Sequence, residues 1–185
     1  CGGERLSGQV KISGAKNAVL PILAGTLMTK NAVLKNVPNL SDVAYTVEIL
    51  ENLGMNITRE NDKMNIINSG IVNTVLPTGL CSKMRSSILL MGGMLASAGE
   101  VTIPYPGGCS LGSRPIDIHL KAVEKMGVEI AESSKGIYCK VRNLQGTKIK
   151  LPFPSVGATE NIMLLGTLAK GVTIIENPAK EPEIV

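Results

Sequence analysis

A glycine-rich segment holds the residues of this chain that are best suited to chemistry. Residues 105–115 read YPGGCSLGSRP, which places Cys109 five residues before Arg114, in a loop between a predicted strand and a predicted helix. A neighbouring guanidinium favours the thiolate and lowers the pKa of a cysteine, and N–H groups at the start of a helix attract anions. The segment is consistent with a reactive thiol beside an anion site. It is equally consistent with a turn that contains an incidental cysteine.

Two further cations lie at the starts of predicted helices. Lys16, followed by Asn17, opens an apolar helix, and Arg85 has the matching position in a second one. A cation there opposes the helix macrodipole, and a phosphate or carboxylate ligand would relieve that mismatch. A single lysine at a helix start is usually only solvated. Its recurrence as Arg85, with Arg114 at the start of another helix, predicts cations that converge on a multiply charged anion.

The remaining polar candidates are weaker. Asp117 and His119 follow Arg114, but an aspartate in a first helical turn is favourable in any case, and one histidine in the chain gives little from which to build a metal site. The four cysteines form no CxxC pair. We therefore expect no metal and no cofactor, and we assign Cys81 and Cys139 structural places beside a helix and in a strand.

Composition excludes several classes of function. The chain has 185 residues, of which 44% are hydrophobic and 18% charged, with a net charge of +4. One Phe, three Tyr and no Trp leave almost nothing on which single-stranded nucleic acid could stack. The longest uncharged apolar stretch, 86–99, is shorter than the ~20 residues of a membrane span. We expect neither a nucleic-acid nor a membrane partner, and reduced thiols favour a cytoplasmic location.

The elements that must position the candidate residues repeat along the chain. Segments 41–54 and 114–127 align at an offset of 73, and each has helical periodicity and ends in glycine. Apolar helices are predicted at 15–28, 84–97 and 157–170, each between strand-like runs. The unit is strand–helix–strand–helix–strand–strand, present twice and begun a third time. The strands predicted before the three apolar helices are 10–12, 71–76 and 148–151.

Repeats of this size predict a structure in which neighbouring units complete one core. Helices that are apolar nearly all round are buried, so we expect an α/β architecture with these helices in the middle and sheets outside. The third unit stops at Val185, about 40 residues short of its counterparts. We therefore expect one partial domain over residues 1–185. The methionines expected to fill the core are Met84, Met91, Met94, Met126 and Met163.

Five segments together closely resemble the UDP-N-acetylglucosamine 1-carboxyvinyltransferase family of enolpyruvyl transferases. They read SGAKNAVLPIL, KMRSSILLMGGML, PGGCSLGSRPIDIH, PSVGATENIM and GVTIIENPAKEPEIV. The resemblance covers essentially the whole chain, and PGGC followed by GxRPxDxH is its most specific part. It implies an inside-out α/β barrel domain of repeated βαβαββ units, a second domain outside this chain, and an active site between the two. In such a protein, about the first 12 residues of this chain could form part of the second domain.

The same resemblance implies a reaction. Enolpyruvyl passes from phosphoenolpyruvate to the 3-hydroxyl of UDP-N-acetylglucosamine and phosphate is released, in the first committed step of peptidoglycan synthesis. Cys109 would protonate the enol carbon as general acid, and Lys16 would act on the developing charge. The residues implied to bind the substrates are Lys16, Asn17, Arg85, Arg114, Pro115, Ile116, Asp117, Ile118, Ser155, Val156 and Gly157. The chemistry agrees, because phosphate and carboxylate groups need fixed cations and protonation of carbon needs a positioned acid.

Two other functions stay open at this point. One is the sister reaction on shikimate 3-phosphate, although that family has a serine-rich lysine turn where this chain has AKNA. The other is a non-enzymatic module that binds a sugar nucleotide. In either enzymatic case we expect the chain alone to be inactive, because an interdomain site needs both walls to exclude water.

Overall fold

The computed structural model of the protein describes residues 2–3, 5, 7–105 and 116–185. In chain order, its elements are α1 (Lys16–Gly25), a first 3-10 helix (Thr26–Met28), β1 (Asn31–Leu34), α2 (Ser41–Asn52), β2 (Met55–Glu60), β3 (Lys63–Asn68), α3 (Thr78–Cys81), a second 3-10 helix (Arg85–Leu89), α4 (Leu90–Ala98), β4 (Glu100–Ile103), α5 (Asp117–Lys125), β5 (Val128–Ser133), β6 (Gly136–Val141), β7 (Lys148–Lys150), α6 (Val156–Gly166) and β8 (Ile174–Glu176).

The first two units have the same sheet with the same register. Their strand orders are β1-β3-β2 and β4-β6-β5, and all four pairings are antiparallel. The pairs Asn31–Ile67 and Met55–Asn68 of the first sheet correspond to Glu100–Lys140 and Val128–Val141 of the second. The repeat predicted from the sequence is therefore confirmed at the level of single residue pairs.

The two units differ in length at one place. The first strands β1 and β4 correspond at an offset of 69, whereas β2 and β5 correspond at an offset of 73. The outer helices already align at 73 in the sequence. The four extra residues of the second unit therefore lie between β4 and α5, in the segment that contains Cys109.

The apolar helices α1, α4 and α6 contact one another in the middle of the molecule, as expected. All residues from Leu90 to Leu95 of α4 are buried. Glycine allows the closest approach, because a Cβ atom at Gly93 would lie 2.4 Å from the carbonyl oxygen of Ala24 in α1. The outer helices α2 and α5 pack against β2 and β5 of their own units.

Both outer helices end as the sequence predicted, at a glycine with positive φ. Gly54 has φ +106° and Gly127 has φ +95°. Space as well as backbone conformation demands glycine at the second position, since a Cβ atom at Gly127 would lie 2.1 Å from the carbonyl oxygen of Asn143. These turns lead directly into β2 and β5.

The third unit is represented by α6 and a pair of short strands. β7 and β8 pair in parallel on either side of α6 in the chain. The barrel is not closed in this chain. Val172 is 74% exposed and Ile174 is 49% exposed, so this part of the structure presents apolar side chains to solvent.

Three expectations about local structure were wrong. Residues 10–12 form no strand in the described structure, where Val10 is 84% and Ile12 is 77% exposed. Residues 71–76 contribute a single bridge, between Val75 and Thr102, and the Val75 N–H bonds to the side chain of Asn73 in its own segment. Met163 of α6 is 42% exposed, whereas the other four methionines assigned to the core are buried in it.

No helix among the described residues is long and apolar enough to cross a membrane. The described part of the chain also contains no cluster of three or more His, Cys, Asp or Glu side chains that could hold a metal ion.

Candidate active site

Lys16 stands at the first residue of α1, where the sequence placed it. Its Nζ lies 2.9 Å from Oδ2 of Asp42, in the first turn of α2. The lysine side chain is about half exposed, so it can exchange this partner for an anionic ligand. Asn17 follows in the same turn and is exposed. The N-terminal turn of α1 contains no acidic residue, which leaves its N–H groups available to an anion.

A buried threonine connects this lysine turn to the next unit. Thr46 of α2 donates from Oγ1 to the carbonyl oxygen of Asp42 at 2.8 Å. The same hydroxyl lies 3.9 Å from Sδ of Met84, which precedes Arg85 in the chain. Because α1 also contacts the second 3-10 helix, the helix starts at Lys16 and Arg85 belong to one region of the molecule.

Arg85 is half-buried at the first residue of the second 3-10 helix. Its positive charge acts on His119, which is buried in α5. Burial first, and the charge of Arg85 second, lower the pKa of His119 to about 4, while Asp117 acts in the opposite direction. The ring is consequently neutral at physiological pH, and Arg85 is the main positive charge beside it.

Ile116, Asp117 and Ile118 are half-buried at the start of α5. Oδ2 of Asp117 accepts from Lys121 at 3.3 Å, whereas Oδ1 is buried and has no hydrogen-bond partner among the described residues. Buried polar atoms usually have a partner. A cavity of about 220 Å³ lies here between α5 and the end of β7 with the two residues that follow it. It is lined by Asp117, Ile118, Lys121, Ala122, Glu124, Lys125, Ile149, Lys150, Leu151 and Pro152.

The turn Ser155, Val156 and Gly157 opens α6 beside the same histidine. The Ser155 hydroxyl accepts from the Ala158 N–H at 3.4 Å and so caps the helix. A Cβ atom at Gly157 would lie 2.9 Å from Cε1 of His119, so only glycine lets this turn reach the ring. The structure thus brings Arg85, Asp117 and the Ser155–Gly157 turn together around His119.

Sequence reasoning missed Asn161, whose buried side chain connects the elements around His119 by hydrogen bonds. It lies in α6 with no exposed surface, and its side chain bonds to α4, the second 3-10 helix and His119. One signal in the sequence could have found it, because the polar residues Thr159, Glu160 and Asn161 interrupt the apolar helix predicted at 157–170. In the structure Gly92 leaves the space for this side chain, since a Cβ atom there would lie 2.9 Å from the Asn161 side-chain oxygen.

Glu160, the neighbour of Asn161, is another buried polar residue to which sequence reasoning gave no role. Burial first, then the charges of Glu183 and Glu181, raise the pKa of this carboxyl to about 7. Its raised pKa lies in the neutral range, so both protonation states of this carboxyl are populated near pH 7.

Three of the predicted site residues, Cys109, Arg114 and Pro115, lie outside the described residues. The cysteines assigned structural places are buried, Cys81 at the end of α3 and Cys139 in β6. Burial raises the pKa of each thiol to about 11. A thiol in such surroundings is a poor nucleophile and a poor acid at neutral pH.

The arrangement is suited to an anionic ligand. Lys16, Arg85 and helix starts supply positive charge and N–H donors. The cavity beside Ile118 combines apolar side chains with charged ones of both signs, so it offers polar as well as apolar contacts. This combination fits a phosphorylated molecule with a polar ring better than it fits a simple inorganic ion.

Comparison with known proteins identifies the family of the chain. The model of the EPSP synthase (3-phosphoshikimate 1-carboxyvinyltransferase) family matches residues 1–185. A UDP-N-acetylglucosamine 1-carboxyvinyltransferase 2 of Caldanaerobacter subterraneus subsp. tengcongensis is 48% identical over 99% of this chain and 44% of its own length. A UDP-N-acetylglucosamine 1-carboxyvinyltransferase of Finegoldia magna is 48% identical over 97% of this chain and 43% of its own length. This chain spans less than half the length of these curated relatives.

Solved structures show the same fold. The enolpyruvyl transferase NikO of Streptomyces tendae superimposes with a TM-score of 0.82 at 21% identity, over 99% of this chain and 43% of its own. An EPSP synthase of Acinetobacter baumannii gives a TM-score of 0.71 at 20% identity, over 96% of this chain and 42% of its own. With a family model that matches the whole chain and a shared fold, the chain belongs to the EPSP synthase (3-phosphoshikimate 1-carboxyvinyltransferase) family.

Proposed function

We propose that the protein containing this chain transfers enolpyruvyl from phosphoenolpyruvate to the 3-hydroxyl of UDP-N-acetylglucosamine and releases phosphate, a transferase reaction of peptidoglycan synthesis. The observation that supports this most is the 48% identity to curated relatives of that name, along essentially the whole chain. The placement of Lys16, Arg85 and the cavity at Asp117 in one region is consistent with it.

In this proposal the described residues bind and orient the two substrates. Lys16 leaves Asp42 and, with Asn17, holds phosphoenolpyruvate and the negative charge that develops as it reacts. Arg85 contributes a bidentate donor to phosphate or carboxylate. The nucleotide end of the sugar substrate occupies the cavity beside Asp117 and Ile118 and reaches the Ser155–Gly157 turn.

The remaining roles lie in residues that the structure does not describe. Cys109 delivers the proton to the enol carbon as general acid, and Arg114 and Pro115 contact the nucleotide sugar. The chain forms one partial domain of two complete repeats and the start of a third, with about its first 12 residues available to the second domain. That second domain supplies the opposite wall of the site, so this chain alone does not turn over substrate.

A second reaction is supported by a specific observation. The matching family model is described as 3-phosphoshikimate 1-carboxyvinyltransferase, and an EPSP synthase shares the fold. Phosphate release by the full-length protein should therefore be measured with phosphoenolpyruvate and either UDP-N-acetylglucosamine or shikimate 3-phosphate. We expect release with the first acceptor. Release only with shikimate 3-phosphate would assign the sister reaction, and nucleotide-sugar binding without release would indicate a binding module.

The role of Lys16 has a matched control in the chain. Lys11 also pairs with an aspartate, its Nζ lying 3.0 Å from Oδ2 of Asp62, but that pair is well exposed and outside the site. In the full-length protein, Lys16→Ala should lower kcat by about 10² to 10³ with a smaller change in KM, because it removes charge stabilisation specific to the transition state. Lys11→Ala should stay within about twofold of the wild type. Equal kinetics for both variants would refute the role of Lys16.

A further inference from the structure

The amide of Asn161 has a fixed orientation. Oδ1 accepts the N–H of Gly92 in α4 at 2.7 Å, and Nδ2 donates to the carbonyl oxygen of Ile88 in the second 3-10 helix at 3.1 Å. A backbone N–H can only donate and a carbonyl can only accept, so these two bonds determine which end of the amide is oxygen and which is nitrogen.

This orientation determines where His119 keeps its proton. Nδ2 of Asn161 lies 2.9 Å from Nδ1 of His119. Because Nδ2 is a donor, Nδ1 must be the acceptor and carries no proton, which leaves the proton of the neutral ring on Nε2. The charged groups that act on the ring, Arg85 and Asp117, oppose each other, and burial and Arg85 together keep it neutral.

The protonated side of the ring faces the start of α6. A Cβ atom at Gly157 would lie 2.9 Å from Cε1 and 3.5 Å from Nε2 of His119. The Cε1–Nε2 edge therefore lies against the Ser155–Gly157 turn, and the Nε2–H donor points towards the region proposed for the nucleotide sugar. The glycines at Gly92 and Gly157 leave the space that this arrangement needs.

We propose that Asn161 is a positioning residue, which holds His119 as a neutral, Nε2-protonated donor beside the turn where the nucleotide sugar binds. The statement about the ligand rests on the proposed function, whereas the statement about the proton does not. A ring fixed in this form can donate to an acceptor of the ligand, and it adds no positive charge next to Arg85.

The proton position can be measured directly. In ¹⁵N spectra of the full-length protein, with His119 assigned by its loss in His119→Gln, the wild type should show an unprotonated Nδ1 and a protonated Nε2. Asn161→Asp replaces the donor by a carboxylate that accepts from Nδ1, so the proton should move to Nδ1 and the pKa of His119 should rise. The KM for UDP-N-acetylglucosamine should increase about tenfold, as for one hydrogen bond to a charged group, with kcat within about threefold.

A second pair of variants keeps the test decisive if Asn161→Asp does not fold. His119→Leu removes the Nε2 donor and should raise the nucleotide-sugar KM about tenfold. His119→Gln places an amide N–H near the Nε2 position and should recover most of that loss. A wild-type ring protonated on Nδ1, or equal KM values for the Leu and Gln variants, would overturn the inference even in an active enzyme. A wild type inactive with UDP-N-acetylglucosamine would instead refute the proposed function and leave the proton assignment standing.

Discussion

The first and second units of this chain place different buried polar residues at one equivalent position. Thr46 in α2 and His119 in α5 correspond at the offset of 73, and both are buried towards the inner helices. Thr46 satisfies its hydroxyl within its own helix, on the carbonyl of Asp42. His119 depends on Asn161, from another unit.

This difference shows how a repeated fold can acquire a site without a change of scaffold. The strand pairing of the two sheets is conserved residue by residue. The second unit has the titratable ring of His119 where the first has Thr46, whose hydroxyl bonds within its own helix. The second unit also has four additional residues in the segment of Cys109. The scaffold tolerates both changes because neither lies in a strand.

The largest difference in stability between the two units is expected when the glycines that end the outer helices are substituted. In Gly127→Ala the methyl group meets a backbone oxygen at 2.1 Å, and the residue must also keep a positive φ. We expect a loss of about 3 kcal/mol in unfolding free energy, from overpacking and the left-handed backbone together. In Gly54→Ala the nearest atom is at 2.8 Å, so the loss should be smaller. Urea denaturation of both variants measures the difference.

Gly99 provides the control for backbone conformation alone. It has φ +76° and no atom within 4 Å of an added Cβ. Gly99→Ala should therefore cost about 1 kcal/mol. If all three variants lost the same amount, the close approach at Gly127 would not determine its stability.

The cysteines offer a second comparison. Cys139 of β6 corresponds to Ile66 of β3, and both are fully buried apolar positions. With thiol pKa values of about 11, Cys139 and Cys81 should react with iodoacetamide at pH 8 at least about 100-fold more slowly than Cys109. Limited alkylation followed by peptide mapping measures the order. Equal labelling of the three thiols would show that Cys109 has no special reactivity.

The last comparison concerns the pH dependence of stability. The pKa of His119 is about 4 in the folded chain against 6.5 in the unfolded one. Between pH 6.5 and pH 4 the histidine is protonated in the unfolded chain but stays neutral in the folded one, which favours unfolding. The contribution of His119 to the free energy of unfolding is therefore complete above pH 6.5 and is lost as the pH falls towards 4. Relative to His119→Gln, the wild type should lose about 2 kcal/mol of unfolding free energy between pH 7 and pH 4.5.

The difference between the two proteins is the quantity to measure, because Glu160 acts in the opposite direction. Its folded pKa of about 7 exceeds the ordinary 4.5, so its contribution is complete below pH 4.5 and is lost as the pH rises through 7. That contribution is common to the wild type and the variant and cancels. A difference that does not vary with pH would show that His119 is not held neutral.

The periodicity of hydrophobic residues and the glycines that follow the helices were sufficient to predict the repeat, its helices and the ends of α2 and α5, because these features depend on local sequence. The strands predicted at 10–12 and 71–76 failed, since apolar alternation cannot show whether a partner strand pairs along the whole segment, and 71–76 pairs only at Val75. The places of Lys16 and Arg85 at helix starts could be predicted from the sequence, whereas their roles stay predictions. The link between Asn161 and His119 joins residues 42 apart and depends on three elements meeting at glycines, so no single stretch of sequence contains it.

The short parallel pair β7 and β8 has a practical consequence for work on this chain by itself. In the described structure each of these strands has a neighbour on one side only, and the apolar side chains of Ile174 in β8 and of Val172 just before it are open to solvent. Unpaired strand edges with exposed apolar side chains are templates for association with other chains. At high concentration we expect the isolated chain to aggregate through this sheet, and charged substitutions at Val172 and Ile174 to keep it dispersed.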